Sequence, residues 1–101
     1  AVIINLQTSN ENGSHWVLVT RDPNANTYFD SFGVLPLKEV HDYFTYYLKE
    51  EYKYNTLQIQ PQELKICGQL CMWVLYRLKN KKEKFEDIVL NLYEEFKDLT
   101  S

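Results

Sequence analysis

The chain has 101 residues, 45% of them apolar, and a formal net charge of −3. This length supports one modest hydrophobic core and predicts a single domain over residues 1–101. No apolar run approaches the ~20 residues of a membrane span, and the acidic balance argues against a chain built mainly to hold nucleic acid.

The first third of the chain has the patterns of β-strands and turns. Apolar runs of β type lie at residues 2–6, 15–20 and 27–30. Stretches containing Asn with Gly or Pro separate them at 9–13 and 21–26. We therefore expect an antiparallel meander of three strands. A loop over 31–36 should follow, in which Gly33 is free to adopt positive φ.

The spacing of apolar residues predicts four further elements: a helix over 37–51, a fourth strand over 55–60, a helix over 68–78 after a connecting loop at 61–66, and a helix over 85–96. The helix over 68–78 is nearly all apolar, which predicts burial on most sides. The last helix is amphipathic and should lie outside. Strands followed by helices predict an α+β fold, with an antiparallel or mixed sheet of about four strands on a central buried helix.

The two cysteines, Cys67 and Cys71, lie four residues apart at the start of the predicted central helix. Such a pair points to one side of a helix but rarely has disulfide geometry, so we expect reduced thiols and an intracellular setting. His15 and His41 could complete a set of four zinc ligands. The spacing matches no known zinc module, so we expect neither metal nor cofactor.

Cys67 is the predicted nucleophile. A thiol attacks as the thiolate, and the start of a helix favours a negative charge through its unpaired N–H groups and its dipole. Gly68, directly after it, would let a substrate carbonyl approach the backbone. Cys71 lies one turn further on and is predicted to be a small buried hydrophobe.

Polar residues earlier in the chain could complete a cysteine-peptidase site. His15 is the predicted base, and Asp30 could accept the other N–H of its ring. Each also has a plain structural interpretation, as a strand-end histidine and as a loop-capping carboxylate. A side-chain amide could donate to the oxyanion, but spacing does not choose among Gln58, Gln60 and Gln62. Trp16 is predicted either to wall the cleft or to pack in the core.

Four motifs stand in order: Gly13-Ser14-His15-Trp16, Tyr28-Phe29-Asp30-Ser31-Phe32-Gly33, Gln60 and Cys67-Gly68-Gln69-Leu70-Cys71. Over about residues 1–78 the chain resembles the adenovirus-type (adenain-like) maturation proteases. These occur in DNA viruses, virophages and Polinton/Maverick elements and are related to the SUMO-specific proteases. The resemblance implies a papain-like fold with Cys67 as nucleophile, His15 as base, Asp30 as its orienting acid and Gln60 as oxyanion donor.

The resemblance also implies an endopeptidase that processes viral capsid or core precursors, in the virion and the host cell. Family members carry a helical segment before the first strand, which we expect this chain to lack. An activating peptide and nucleic acid stay open as partners, although no residues here match those sites of the adenovirus enzyme. Two alternatives remain: a protease that deconjugates ubiquitin-like proteins, and a non-catalytic binding or assembly domain on the same fold.

Overall fold

The computed structural model describes residues 1–5, 15–22, 26–60 and 66–99. Its elements in chain order are β1 Val2–Asn5, β2 Trp16–Thr20, β3 Thr27–Asp30, α1 Lys38–Asp42, a π-helix Tyr43–Tyr47, β4 Lys53–Tyr54, α2 Cys67–Lys79, α3 Phe85–Phe96 and a 3-10 turn Lys97–Leu99. The predicted α+β class is confirmed. Leu6, the turn at 9–13, the middle of the turn at 21–26 and most of the loop at 61–66 lie outside the described residues.

The four strands form one mixed sheet in the order β1-β2-β3-β4. β1 pairs with β2 and β2 pairs with β3, both antiparallel, so the predicted meander is confirmed. Leu18 of β2 lies opposite Phe29 of β3, and both side chains are fully buried. All four residues of β3 are buried, because this strand has neighbours on both edges as well as helices over it.

The predicted fourth strand over 55–60 is wrong. The strand beside β3 is the preceding dipeptide, Lys53–Tyr54, and it pairs with β3 in parallel. Pairing stops at Asn55 because its side chain takes the place of a strand backbone. Asn55 Oδ1 accepts from Asp30 N at 3.0 Å, and Asn55 Nδ2 donates to Asp30 O at 2.6 Å. The alternating apolar residues that follow lie in an irregular segment.

The predicted helix over 37–51 is shorter and less regular than its apolar spacing indicates. α1 spans five residues and passes into the π-helix, in which Leu48 N donates to Tyr43 O at 2.9 Å. This wider turn buries Phe44 completely and leaves Tyr47 exposed. The helix ends before Lys49, whose φ of 55° is left-handed and turns the chain back towards β4.

The core lies between the sheet and helices α2 and α3, both of which occur where predicted. It is formed by Leu18, Phe29, Ile59, Leu70, Cys71, Val74, Phe85, Ile88, Val89 and Leu92. Burial of α2 on most sides is not observed, since Met72 is 65% exposed, and Trp73 and Tyr76 are also exposed. These two rings stack at 5.6 Å, so they partly shield each other from water. In the described part of the chain, no helix is long and apolar enough to cross a membrane.

Gly33 and Gly68 provide a matched test of the fold. At Gly33 (φ 72°) a Cβ atom would lie 2.7 Å from Thr56 O, whereas at Gly68 it would meet Trp16 Cδ1 at an ordinary 3.4 Å. We expect Gly33→Ala to lower the free energy of unfolding by ~1–3 kcal/mol. Gly68→Ala should change it by less than ~1 kcal/mol. Urea unfolding followed by circular dichroism measures both, and equal losses would contradict this account of the turn.

Candidate active site

The antiparallel pairing of β2 with β3 brings His15 to Asp30. Val17 lies opposite Asp30, and His15 stands two residues before Val17, on the same side of the sheet. His15 Nε2 and Asp30 Oδ1 are 2.8 Å apart. The carboxylate is almost completely buried and the histidine side chain is 16% exposed. The predicted pair is therefore assembled, with the ring at the edge of the protein and its acid inside.

The imidazole of His15 is held in one orientation. Phe32 stacks on it, with ring centroids 4.6 Å apart. The backbone N–H of Phe32 also donates to Asp30 Oδ1 at 2.8 Å, so one carboxylate oxygen serves both the ring and the turn. Because a carboxylate only accepts, the bond places a proton on Nε2, so Nδ1 holds the lone pair whenever the ring is neutral. His15 Nδ1 is buried and has no hydrogen-bond partner in the described structure.

Cys67 lies against the backbone of the residue that follows this histidine. It is the first residue of α2, and Trp16 N, the N–H that directly follows His15, donates to its Sγ at 3.3 Å. A donated N–H and the positive end of the helix dipole both stabilise negative charge on the sulfur. The residue as a whole is 5% exposed, so Cys67 is almost completely buried.

Trp16 contacts both the start of α2 and the core, and its role as a cleft wall stays a prediction. Its indole lies against Gly68, where a Cβ would be 3.4 Å from Cδ1, so it narrows the space next to the thiol. It is also partly buried against the hydrophobic core. Gly68 has no side chain, which would allow the close approach of a substrate backbone at the start of α2.

Cys71 is a buried thiol with a structural contact. Its Sγ donates to Trp16 O at 3.4 Å, and burial raises its pKa to about 12. The prediction that Cys71 is buried is confirmed, and the two cysteines are separate thiols as expected. Cys71 therefore anchors α2 to β2 and is unsuited to attack.

Gln60 is joined to the same cluster through the residue after Asp30. It is completely buried, and Ser31 Oγ donates to its Oε1 at 2.5 Å. Gln58 is exposed and donates through Nε2 to the backbone oxygen of Gln60 at 2.9 Å. Gln62 lies outside the described residues. Of the two candidate glutamines that the structure describes, Gln60 is the one whose amide is buried and bonded.

Two polar residues of the cluster were missed in the sequence. Ser31 and Asn55 are both buried, Ser31 against Gln60 and Asn55 against the backbone of Asp30. Ser31 belongs to the motif that contains Asp30, but nothing in the sequence pattern indicates a role for its hydroxyl. For Asn55 the signal was present, because Asn is uncommon inside strands and marked the point where the predicted strand would fail.

The zinc ligand set considered from the sequence is not assembled. His41 lies in α1, exposed, with its Nδ1 2.7 Å from Tyr52 OH, whereas His15 is bonded to Asp30. Among the residues that the structure describes, no three His, Cys, Asp or Glu side chains are grouped to hold a metal ion.

No protein-family model matches the chain, and neither the curated proteins nor the solved structures give a significant match.

The two cysteines should differ strongly in reactivity. At about pH 8 a thiol with a pKa of about 12 is only ~10⁻⁴ thiolate. We expect iodoacetamide to label Cys67 at least ~100-fold faster than Cys71 in the folded protein. Mass spectrometry of tryptic peptides measures the two rates, with Cys67→Ser and Cys71→Ser as single-cysteine controls. Similar rates in the folded protein would show that the environment of Cys67 is not activating.

Proposed function

We propose that this chain is a cysteine endopeptidase of the adenain-like type. The proposal rests on one observation above all. His15 has Nε2 on a buried carboxylate and Nδ1 buried without a partner in the described structure, and the next residue donates its N–H to the Cys67 sulfur. An oriented base beside a thiol at a helix start is the arrangement that nucleophilic catalysis by cysteine needs.

The proposed reaction proceeds in two halves. In the first, the Cys67 proton passes to His15 Nδ1, and the sulfur attacks the scissile carbonyl carbon. The oxyanion is held by the Cys67 backbone N–H and the Gln60 amide. The imidazolium, stabilised by Asp30, then protonates the leaving amine as the C–N bond breaks, and a thioester remains. In the second half His15 takes a proton from water, the hydroxide attacks the thioester, and the carboxylic acid and the thiol are released.

The proposed substrates are virion structural precursors cleaved next to glycine or other small residues. The contact between Trp16 and Gly68 supports this choice, because an indole against the helix start leaves little width for a bulky side chain beside the thiol. The proposed sites of action are the virion and the reducing interior of the host cell, where both cysteines would stay as thiols.

A deconjugating protease for ubiquitin-like proteins would use the same four residues. SUMO- and ubiquitin-derived active-site probes separate it from the first proposal. Labelling of Cys67 by such a probe, without cleavage of capsid-precursor peptides, would favour the deconjugase.

The other candidate is not an enzyme but a non-catalytic binding domain. The burial of the site residues favours this candidate. Cys67 is 5% exposed and Gln60 is completely buried. If this closed state persists in solution, Cys67 should be alkylated no faster than Cys71. The alkylation experiment described above therefore separates the two classes of function.

The two histidines provide a matched test of the base. We expect His15→Ala to lower kcat by ~10²–10⁴, because it removes the group that moves the proton. His41→Ala should leave kcat unchanged, since His41 is exposed on α1. Turnover of a pool of fluorogenic peptides with glycine before the cleaved bond measures both. Cys67→Ala is the inactive reference, and equal effects at the two histidines would exclude His15 as the base.

Gln58 and Gln60 provide a matched test of the oxyanion donor. We expect Gln60→Ala to lower kcat by ~10²–10³ with little change in KM, because the donor acts mainly in the transition state. Gln58→Ala should have almost no effect, since Gln58 is exposed. The same peptide assay gives kcat and KM separately. A larger loss at Gln58 would move the donor role to that residue.

A further inference from the structure

Ser31 holds Gln60 at both its backbone and its side chain. The Ser31 hydroxyl donates to Gln60 Oε1 at 2.5 Å. The Ser31 carbonyl accepts from Gln60 N at 3.2 Å and from Ile59 N at 2.7 Å. Ser31 and Gln60 are both completely buried, so these bonds are shielded from competition with water. Ser31 therefore bonds to both the backbone and the side-chain amide of Gln60, from 29 positions earlier in the chain.

Fixing the oxygen of a side-chain amide also fixes its nitrogen. The amide group is planar, so with Oε1 bound to the Ser31 hydroxyl the NH₂ group of Gln60 is directed away from Ser31. An oxyanion hole needs such a donor in place before the charge forms. A glutamine whose amide turns freely would present its oxygen part of the time and repel the oxyanion.

Ser31 is also directly connected to the other half of the site. Asp30, its neighbour, binds His15, and the turn that carries both residues is closed by Gly33 N donating to Asp30 O at 2.8 Å. Two consecutive residues of one tight turn thus hold the base on one side and the amide on the other.

We propose that Ser31 is the positioning residue for the oxyanion donor Gln60, and that its hydroxyl sets how well the site stabilises the tetrahedral intermediate. This inference rests on the proposed peptidase function. It adds a residue that touches neither the substrate nor the thiol and acts through Gln60 alone.

A double-mutant cycle tests whether Ser31 acts through Gln60. We expect Ser31→Ala to lower kcat on the fluorogenic peptides at least ~10-fold with KM nearly unchanged. In the Gln60→Ala background the same substitution should have no further effect, because the amide that it positions is gone. Ser31→Thr, which keeps the hydroxyl, should restore most of kcat.

Two controls separate positioning from a general structural role. Alkylation of Cys67 by iodoacetamide forms no oxyanion, so its rate should change less than ~2-fold in Ser31→Ala. Thr20→Val removes a different buried hydroxyl, which pairs with Thr27 away from the site, and should lower stability without changing kcat. Circular dichroism confirms that each variant is folded at the assay temperature.

The outcomes distinguish failure of this inference from failure of the proposed function. If the effects of Ser31→Ala and Gln60→Ala multiply, or if alkylation falls as much as turnover, the positioning role is overturned. If the parent protein turns over no peptide, the proposed function fails. The positioning itself is then read from the side-chain ¹⁵N–¹H₂ signals of Gln60, assigned by their loss in Gln60→Ala. Unchanged signals in Ser31→Ala overturn it, and signals that shift towards those of a mobile amide support it.

Discussion

The backbone of Trp16 is the contact on which the rest of the site depends. Its N–H donates to the Cys67 sulfur, and its carbonyl accepts from the Cys71 sulfur. One residue of β2 therefore holds α2 at two points that lie one turn apart. Leu70 and Val74 of the same helix pack into the core. Because Trp16 directly follows His15, the same stretch of backbone positions both the Cys67 thiol and the His15 imidazole. A rotation of α2 would break both sulfur contacts at once.

The polar half of the site is organised by the turn after β3. Asp30 binds the ring of His15, Ser31 binds Gln60, and the Asn55 side chain pairs with both backbone groups of Asp30. Buried polar groups are expensive unless they are paired. In the described structure His15 Nδ1 is the one buried side-chain polar atom without a hydrogen-bond partner. It is also the atom to which the proposed mechanism assigns the reacting proton.

The sequence was sufficient where local periodicity and burial agree. The first three strands and α3 alternate or repeat against one core, and the register of β2 with β3 makes the His15–Asp30 contact a simple consequence of pairing. Prediction failed where a side chain replaces backbone pairing, as Asn55 does, and where aromatic residues widen a helix into a π turn. The predicted burial of α2 on most sides also failed, because the apolar outer face of this helix is partly covered by its own stacked rings. The role of Ser31 is a tertiary contact, with no periodic signal in the sequence.

The distance along the chain between the partners of the thiol has a consequence for biosynthesis. Trp16 and Cys67 are 51 positions apart, whereas His15 and Asp30 are 15 apart. Since a chain is made from its N-terminus, the β-meander with its oriented imidazole can form while α2 is still being synthesised. The thiol reaches the Trp16 backbone only after that long loop closes. If the chain is the proposed peptidase, a nascent or partly folded chain therefore carries no assembled nucleophile, and cleavage begins only when folding is complete.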